Sequence, residues 1–184
     1  PLEVTRTPWI QWKVVLPRRI NGPEYADIHT IGARALDALG MVTGLSHMEW
    51  FRRPDGSLAI SEVGARPPGA QFSSLLSWAH DLDFYAAWTR LLIHERFEPP
   101  ERRYAAGAVY LRGMGNGVVV NVRGAEELSR ELDDVLVELR LPRKGQAPSG
   151  TYEGDGFAIV RHPETEVVDR ALDRALELVR IELG

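Results

Sequence analysis

The sequence predicts an α+β protein made of two successive units. Apolar runs with the two-residue period of strands alternate with stretches that have the period of helices. An Asp-Gly pair at residues 55–56 separates two apolar runs, which is a strong hairpin signal. A segment rich in proline and charge at residues 98–103 interrupts these patterns, and they restart after it. We therefore expect one unit over residues 1–98 and a second, smaller one over residues 104–184.

The first unit is expected to contain a strand, a helix, the Asp-Gly hairpin and two further helices. Apart from the hairpin, the predicted bounds in chain order are residues 9–16, 24–39, 70–78 and 83–94. Pro17 ends the strand because proline cannot donate to a ladder. Gly40 suits the C-cap of the first helix, and Asp81 suits the N-cap of the last one.

The second unit is expected to have the element order β-β-α-β-β-α. Its predicted elements lie at residues 104–111, 118–122, 125–131, 135–141, 157–161 and 163–181. The glycine-rich residues 113–117 lead into a strand, whereas a phosphate-binding loop leads into a helix N-terminus. Residues 113–117 are therefore interpreted as the turn of a hairpin that joins the first two strands, with Asn116-Gly117 as its tip.

The Asp-Gly hairpin brings two glutamates together. If the loop consists of residues 55–56 alone, Phe51 faces Ile60 and Glu49 faces Glu62. Directly opposed side chains on one face have Cβ atoms roughly 5 Å apart, and like charges there repel each other. A divalent cation bridging the two carboxylates would explain the arrangement. A bulge at Arg52 or Arg53 would shift the register by one residue and spoil this pairing.

Two interpretations of this acid pair are open from the residues alone. Surface hairpins often carry glutamates, and Arg52, Arg53 or Arg66 could neutralise them. Alternatively, two carboxylates for a hard cation and one arginine for an anion are the minimum set for handling a phosphate. The turn after Glu62 favours the second, since its small and proline residues hold Arg66 close to the pair.

His47 lies two residues before Glu49, so a strand places both side chains on the same face. Its imidazole could be a third metal ligand or a proton carrier. Such a histidine is more often a hydrogen-bonded neighbour of a site or a core residue. The sequence contains no HExxH pair and no Gly-x-Ser-x-Gly motif, so it gives no support to a zinc protease or to a serine hydrolase.

The sequence resembles the ATP-grasp ligases. The C-terminal half of these enzymes typically has a strand ending in Glu, a turn, and a strand ending in Glu-[Val/Met/Ile]-[Asn or small]-x-Arg, then Pro or Gly. This chain has His-Met-Glu-Trp at residues 47–50 and Ser-Glu-Val-Gly-Ala-Arg-Pro-Pro-Gly at residues 61–69. The helix ending in Ala-Leu-Asp-Ala-Leu-Gly at residues 35–40 also fits, and the match covers roughly residues 10–95.

The resemblance implies the C-terminal part of an ATP-grasp domain over residues 1–98, followed by the small β-β-α-β-β-α unit. It implies that Glu49 and Glu62 hold Mg²⁺ (or Mn²⁺) on the phosphates of ATP. It also implies that Arg66 contacts the transferred phosphate or the substrate carboxylate. Many members carry an Asn two residues after the second Glu as a further metal ligand. This chain has Gly64 there, which has no side chain to coordinate a metal.

The resemblance is to the carboxylate–amine (amino-acid) ligase branch or the carbamoyl-phosphate-synthase-like branch of the family. The activity that it implies is ATP-dependent carboxylate–amine (or related) ligation. A small-molecule carboxylate attacks the γ-phosphate to give an acyl phosphate, and an amine then displaces phosphate. Two alternatives stay open. One is a binding or assembly module that keeps the fold without catalysis, and the other is a phosphoryl-transfer enzyme on the same fold.

Composition excludes several other classes. The chain has no cysteine, so disulfides and thiol nucleophiles are absent. A formal net charge of −4 argues against a general nucleic-acid binder. No apolar run approaches the ~20 residues that span a bilayer, and no signal peptide is visible at the start. We expect a cytoplasmic protein without a membrane partner.

The chain is expected to be the C-terminal portion of a longer ligase and to be inactive alone. It begins at Pro1, its first methionine is Met41, and its only lysines are Lys13 and Lys144. The glycine-rich lid and the lysines of the family's N-terminal half have no counterpart here. That missing half is an expected partner. A half-domain with an exposed inner face is also expected to self-associate, for example as a homodimer.

Overall fold

Strand β1, Trp12–Leu16, pairs antiparallel with a strand from the other end of the chain, β4, Ala105–Leu111. The computed structural model describes residues 12–184. Within them, residues 19–101 form one compact unit, and residues 12–18 form the other together with residues 102–184. The strand predicted over residues 9–16 is present from Trp12 onward, and residues 9–11 lie outside the described part. The ladder to β4 places β1 with the second unit, whereas the sequence pattern groups it with the hairpin.

The larger sheet has the strand order β1-β4-β7-β6, and all its neighbours are antiparallel. Its other two strands are β6, Leu136–Arg140, and β7, Gly156–His162. All seven residues of β4 are buried, as expected of a central strand. Helix α5, Thr165–Leu178, packs across β1, β4 and β7. Its buried residues, Val168, Ala171, Leu172 and Ala175, form an apolar stripe with helical spacing.

The order β-β-α-β-β-α is present in the second unit, but one predicted hairpin and one predicted helix end are wrong. β4 and β5, Val119–Arg123, do not form a hairpin, because β5 pairs with β8, Arg180–Leu183, in a separate two-stranded sheet. The helix predicted to reach residue 181 ends at Leu178, since the chain turns into β8. Helix α4, Ala125–Glu131, has the predicted bounds. It is tied to α5 by a two-pronged pair in which Arg174 donates to Glu131 over 2.8 and 3.0 Å.

The unit at residues 19–101 is built from the hairpin of β2, His47–Arg52, and β3, Leu58–Gly64, together with three α-helices. A short 3₁₀ turn, Pro23–Tyr25, leads into α1, Ala26–Ala38, which packs on β3. The predicted cap at Gly40 is confirmed. Gly40 has φ +74°, its N–H donates to Asp37 O, and the next N–H donates to Leu36 O. These two bonds form a Schellman motif.

Helices α2, Phe72–His80, and α3, Phe84–His94, pack against each other. Phe84 and Trp88 meet edge to face with centroids 6.0 Å apart. The predicted N-cap at Asp81 is wrong: the Asp83 side chain accepts the N–H of Ala86 at 2.9 Å. Asp81 instead ends α2 in the left-handed conformation, at φ +51°. Across residues 12–184, the helices are all too short or too polar for a membrane span.

We predict that Gly107→Ala destabilises the second unit. A Cβ on Gly107 would lie 2.5 Å from Leu172 Cδ1 and 2.9 Å from both Val14 O and Val168 Cγ1. Relieving this overlap requires β4 to move away from α5, at a cost of about 1–3 kcal/mol in the free energy of unfolding. Urea unfolding measures the loss. Gly150→Ala is the matched control, because no atom lies within 4 Å of its added Cβ. Equal stability of the two variants would contradict this packing.

Candidate functional site

The hairpin places Glu49 directly opposite Glu62, as the sequence predicted. The turn that achieves this differs from the predicted one. Arg53 pairs with Ser57 through Arg53 N–H to Ser57 O at 2.8 Å, and Gly56 N–H donates to Arg53 O at 2.9 Å. The loop therefore has three residues, 54–56, and Gly56 takes the left-handed conformation at φ +82°. The Asp55 carboxylate accepts from the N–H and the hydroxyl of Ser57, which fixes the turn.

A bulge at Ser61 compensates for the longer loop. Phe51 pairs with Ala59 and Trp50 with Ile60, so the predicted pairing of Phe51 with Ile60 is wrong. If the ladder continued regularly, Glu49 would face Ser61 and Glu62 would point to the other face. The register shifts between Glu49 and Trp50, and the extra residue on β3 restores the opposition of the two acids. Two irregularities thus cancel, and the predicted acid pair forms through a different turn.

One face of the hairpin carries the acid pair, and helix α1 backs the other face. His47 pairs with Gly64, so His47, Glu49, Glu62 and Gly64 share a face. Met48 points the other way, with its sulfur 3.7 Å from the place of a Cβ on Gly32 in α1. Both glutamates are exposed. The acids therefore lie on a solvent-facing surface supported from behind by a helix.

A two-pronged ion pair fastens the hairpin to α1. Arg52 Nη1 donates to Asp27 Oδ2 at 2.7 Å, and Nη2 donates to Oδ1 at 3.1 Å. The hydrogen bond from Arg52 is the main cause that lowers the pKa of the Asp27 carboxyl below its ordinary value. Arg52 also donates to the carbonyl of Gly56 in the turn at 3.0 Å. The same guanidinium thus links the helix, the strand and the hairpin loop.

Arg66 lies beside the acid pair, as expected, and its guanidinium contacts Glu62. Nη2 is 2.8 Å from Glu62 Oε1, and Nη1 donates to Pro67 O at 3.3 Å. The arginine stem crosses over Gly64, where an added Cβ would be 3.3 Å from Arg66 Cγ and 3.4 Å from Nε. The Glu49 side chain makes no hydrogen bond or ion pair with any residue from 12 to 184.

His47 has an unusual environment next to the acids. Its Nδ1 is buried and has no hydrogen-bond partner among the described residues. The ring lies 6.3 Å, centroid to centroid, from Phe72 at the start of α2. An unpaired buried polar nitrogen costs free energy, and such atoms call for an explanation.

Solved structures of several enzymes share this fold. An L-amino acid ligase from Bacillus licheniformis is 19% identical, with a TM-score of 0.74 over 94% of this chain and 46% of its own. A phosphoribosylglycinamide synthetase from Anaerococcus prevotii is 15% identical, with a TM-score of 0.72 over 94% of this chain and 45% of its own. The biotin carboxylase domain of a Hydrogenobacter thermophilus 2-oxoglutarate carboxylase, solved as a dimer with MgADP, ADP and bicarbonate, is 14% identical. Its TM-score is 0.55 over 92% of this chain and 38% of that one.

This chain has the fold of the C-terminal half of an ATP-grasp enzyme. The resemblance stated from the sequence is confirmed at the level of the fold. The chain spans just under half the length of the first solved structures it matches. No family model matches the sequence, and no curated protein matches it.

The ATP-grasp half offers a donor set that fits a hard cation. Mg²⁺ is usually held by one or two carboxylates, with waters and substrate phosphates completing its six oxygen ligands. Glu49 and Glu62 are such carboxylates on neighbouring strands. No group of three or more His, Cys, Asp or Glu side chains in residues 12–184 is arranged to hold a metal. A cation held by these two carboxylates would need its remaining ligands from outside this group of side chains.

Sequence reasoning missed the shape of the turn after Arg66. Ala70 and Gln71 both take the left-handed conformation, at φ +50° and +61°, which costs about 1–2 kcal/mol for each residue that is not glycine. The helix predicted from residue 70 therefore begins at Phe72. Ser73, which is buried, donates to Pro68 O at 3.0 Å and holds the turn closed. Strain of this kind often accompanies functional sites.

We predict that Asp27 makes the free energy of unfolding of this unit fall at acid pH. Its folded pKa is lowered, so the Arg52 contact is fully present above the unfolded value of about 4 and is lost as pH falls through the folded pKa. Asp27→Asn should flatten the fall in unfolding free energy between about pH 5 and pH 2. Thermal unfolding across that range measures it. The control is Asp37→Asn on the same helix, whose side chain makes no ion pair among the described residues. Parallel pH profiles of wild type and Asp27→Asn would contradict this role.

Proposed function

We propose that this chain supplies the metal- and phosphate-binding half of an ATP-dependent carboxylate–amine ligase. The observation that carries the proposal is the opposition of Glu49 and Glu62 on one exposed face, with the Arg66 guanidinium 2.8 Å from Glu62. The fold shared with an L-amino acid ligase and a phosphoribosylglycinamide synthetase supports it. The Hydrogenobacter thermophilus carboxylase domain, which has a similar fold, was solved in complex with MgADP.

The chain's own residues provide charge of both signs where the reaction needs it. ATP and a carboxylate substrate repel each other, and the transition state spreads negative charge over several oxygens. Glu49 and Glu62 would hold Mg²⁺ (or Mn²⁺), and the bound ion would neutralise phosphate oxygens. Arg66 would contact the transferred phosphate or the substrate carboxylate, since a guanidinium forms paired hydrogen bonds with either group. Neither glutamate acts as a general base in this scheme, because a metal-bound carboxylate is a poor proton acceptor.

The proposed reaction has two steps. The substrate carboxylate attacks the γ-phosphorus of ATP and releases ADP, which gives an acyl phosphate. The amine then attacks the acyl carbon, an amide bond forms, and inorganic phosphate leaves with the carbon–oxygen bonding electrons and takes up the proton that the nitrogen loses. Both steps transfer groups between small molecules, so the protein contributes positioning and electrostatic stabilisation.

We assign the ATP-grasp part to residues 1–98 and the small α+β subdomain to residues 104–184, with β1 of the first part pairing into the sheet of the second. An N-terminal half would supply the other wall of the nucleotide site, because the chain spans only 46% of the ligase it resembles. Self-association as a homodimer belongs to the same proposal. Light scattering of the purified chain tests the dimer directly.

A non-catalytic binding module is the second candidate, and Gly64 favours it. Glycine adds no metal-coordinating side chain to the two glutamates on this face. A module of this kind would bind a nucleotide and leave it unchanged. Product analysis in the full-length protein separates the two candidates, since a ligase releases ADP, phosphate and an amide together.

We predict that MgADP binds the chain and that Glu49→Gln/Glu62→Gln abolishes this binding. Glutamine keeps the shape of both side chains but removes two charges that a hard cation requires. Isothermal titration calorimetry of MgADP into both proteins measures the change. Glu62→Gln alone should abolish turnover in the full-length protein while its circular dichroism stays unchanged.

The matched control for this titration is Glu98→Gln, which removes an exposed carboxylate outside the hairpin. It should bind MgADP as the wild type does. Equal affinity of the wild type and the double variant, or full turnover of Glu62→Gln, would overturn the metal role of the acid pair.

A further inference from the structure

The Arg66 side chain lies over Gly64 and bonds to Glu62, so it can affect cation binding as well as phosphate binding. Arg66 lies two residues beyond the end of β3 and reaches back to Glu62, and its stem lies where a side chain at position 64 would project. Gly64 does not have a positive φ, so the backbone conformation does not require glycine. Among the described residues, the space taken by the Arg66 stem is the only reason for a glycine at position 64.

The contact engages the same carboxylate that the proposed cation needs. Arg66 Nη2 is bonded to Glu62 Oε1, and Glu62 is one of two acids on that face. The two acids alone carry a charge of about −2, and the adjacent guanidinium reduces the local charge to about −1. A cation approaching the hairpin would meet a weakened field and a carboxylate oxygen already occupied by a donor.

We propose that Gly64 positions Arg66 as a latch on Glu62, so that cation binding and anion binding at this hairpin are coupled. The cation binds more tightly when Arg66 leaves Glu62, and an anionic group such as a polyphosphate draws Arg66 away. By linkage, the anion raises the affinity for the cation by the same factor as the cation raises the affinity for the anion. This inference rests on the proposed role of Glu49 and Glu62 in cation binding.

The size of the coupling follows from the exposure of the pair. The side chains of Arg66 and Glu62 are 53% and 48% exposed. Solvent-exposed ion pairs contribute modestly, so releasing the latch should tighten the binding of a bare cation about two- to fivefold. The latch therefore biases the site against a free metal ion and does not block it.

The test measures the Kd of Mn²⁺ alone by isothermal titration calorimetry, with Mn²⁺ as the probe. Arg66→Gln removes the latch, and Gly64→Val displaces it without changing any charge. Both variants should bind Mn²⁺ about two- to fivefold more tightly than the wild type. Arg53→Gln is the charge control, since it removes an arginine from the same hairpin that contacts Ser57 and neither acid. Its Kd should stay at the wild-type value.

Two further variants make the test specific for the latch. Gly64→Val/Arg66→Gln should equal Arg66→Gln alone, because the glycine acts only through the arginine. Gly64→Ala is a milder substitution whose Cβ would lie 3.3 Å from Arg66 Cγ, and it should shift the Kd in the same direction if valine perturbs folding.

MnADP gives the anion side of the coupling. Arg66→Gln should tighten the binding of Mn²⁺ alone but weaken the binding of MnADP, because the nucleotide loses its guanidinium partner. If Arg66→Gln bound both Mn²⁺ and MnADP more tightly than the wild type by the same factor, the latch would be overturned. An absence of MnADP binding to the wild type would overturn it as well.

The failure of the latch is distinguishable from the failure of the proposed function. If Arg66→Gln tightens Mn²⁺ binding while both Gly64 variants leave it unchanged, the tightening comes from the loss of a positive charge near the acids, and the latch is overturned. If Glu49→Gln/Glu62→Gln binds Mn²⁺ as well as the wild type does, or if no variant binds it, the acid pair is not a cation site. Both proposals then fall together.

Discussion

The extra residue in β3 is the constraint on which the candidate site depends. A three-residue loop moves the ladder by one position, and without the bulge at Ser61 the two acids would lie on opposite faces of the hairpin. With it, Glu49 and Glu62 are neighbours, and Arg66 is near enough to Glu62 to bond with it. Bulges of this kind often re-aim a side chain beside a functional site. Here the bulge sets which face carries the charge.

Holding two carboxylates together has a cost that the surrounding residues offset. Arg66 neutralises one acid, and its stem needs the empty space above Gly64. On the opposite face, Arg52 and Asp27 bind the hairpin to α1, and Met48 packs near Gly32. Exposed ion pairs are individually weak, but the two-pronged geometry of Arg52 fixes an orientation as well as a contact. The acid face is thus supported by contacts that do not use the carboxylate oxygens of the acid pair, except at Glu62.

Local signals in the sequence predicted more than long-range pairings did. Gly40, the bounds of α4 and the Glu49–Glu62 opposition follow from residues close together in the chain, where turn and cap chemistry applies. The partner of β4 could not be found in this way, because a strand buried on both faces loses its alternation and says nothing about its neighbours. β8 was absorbed into the predicted α5 for a related reason: Val179 and Ile181 are buried, and they continue an apolar pattern across the end of the helix. Within the site, the sequence predicted neither the three-residue loop nor the bulge. Each shifts the register by one residue in opposite senses, so the predicted opposition of Glu49 and Glu62 is still found.

The pairing of β1 with β4 has a consequence for how this protein can be divided and how it is made. The unit at residues 19–101 is an insertion between two adjacent strands of one sheet, so it could be excised as a continuous segment, whereas the other unit could not. During synthesis, β1 leaves the ribosome long before its partner exists, and it must wait for a contact that is slow to close. A segment that began after residue 101 would expose one edge of β4, an uncharged strand with no side chain that would discourage pairing with another chain.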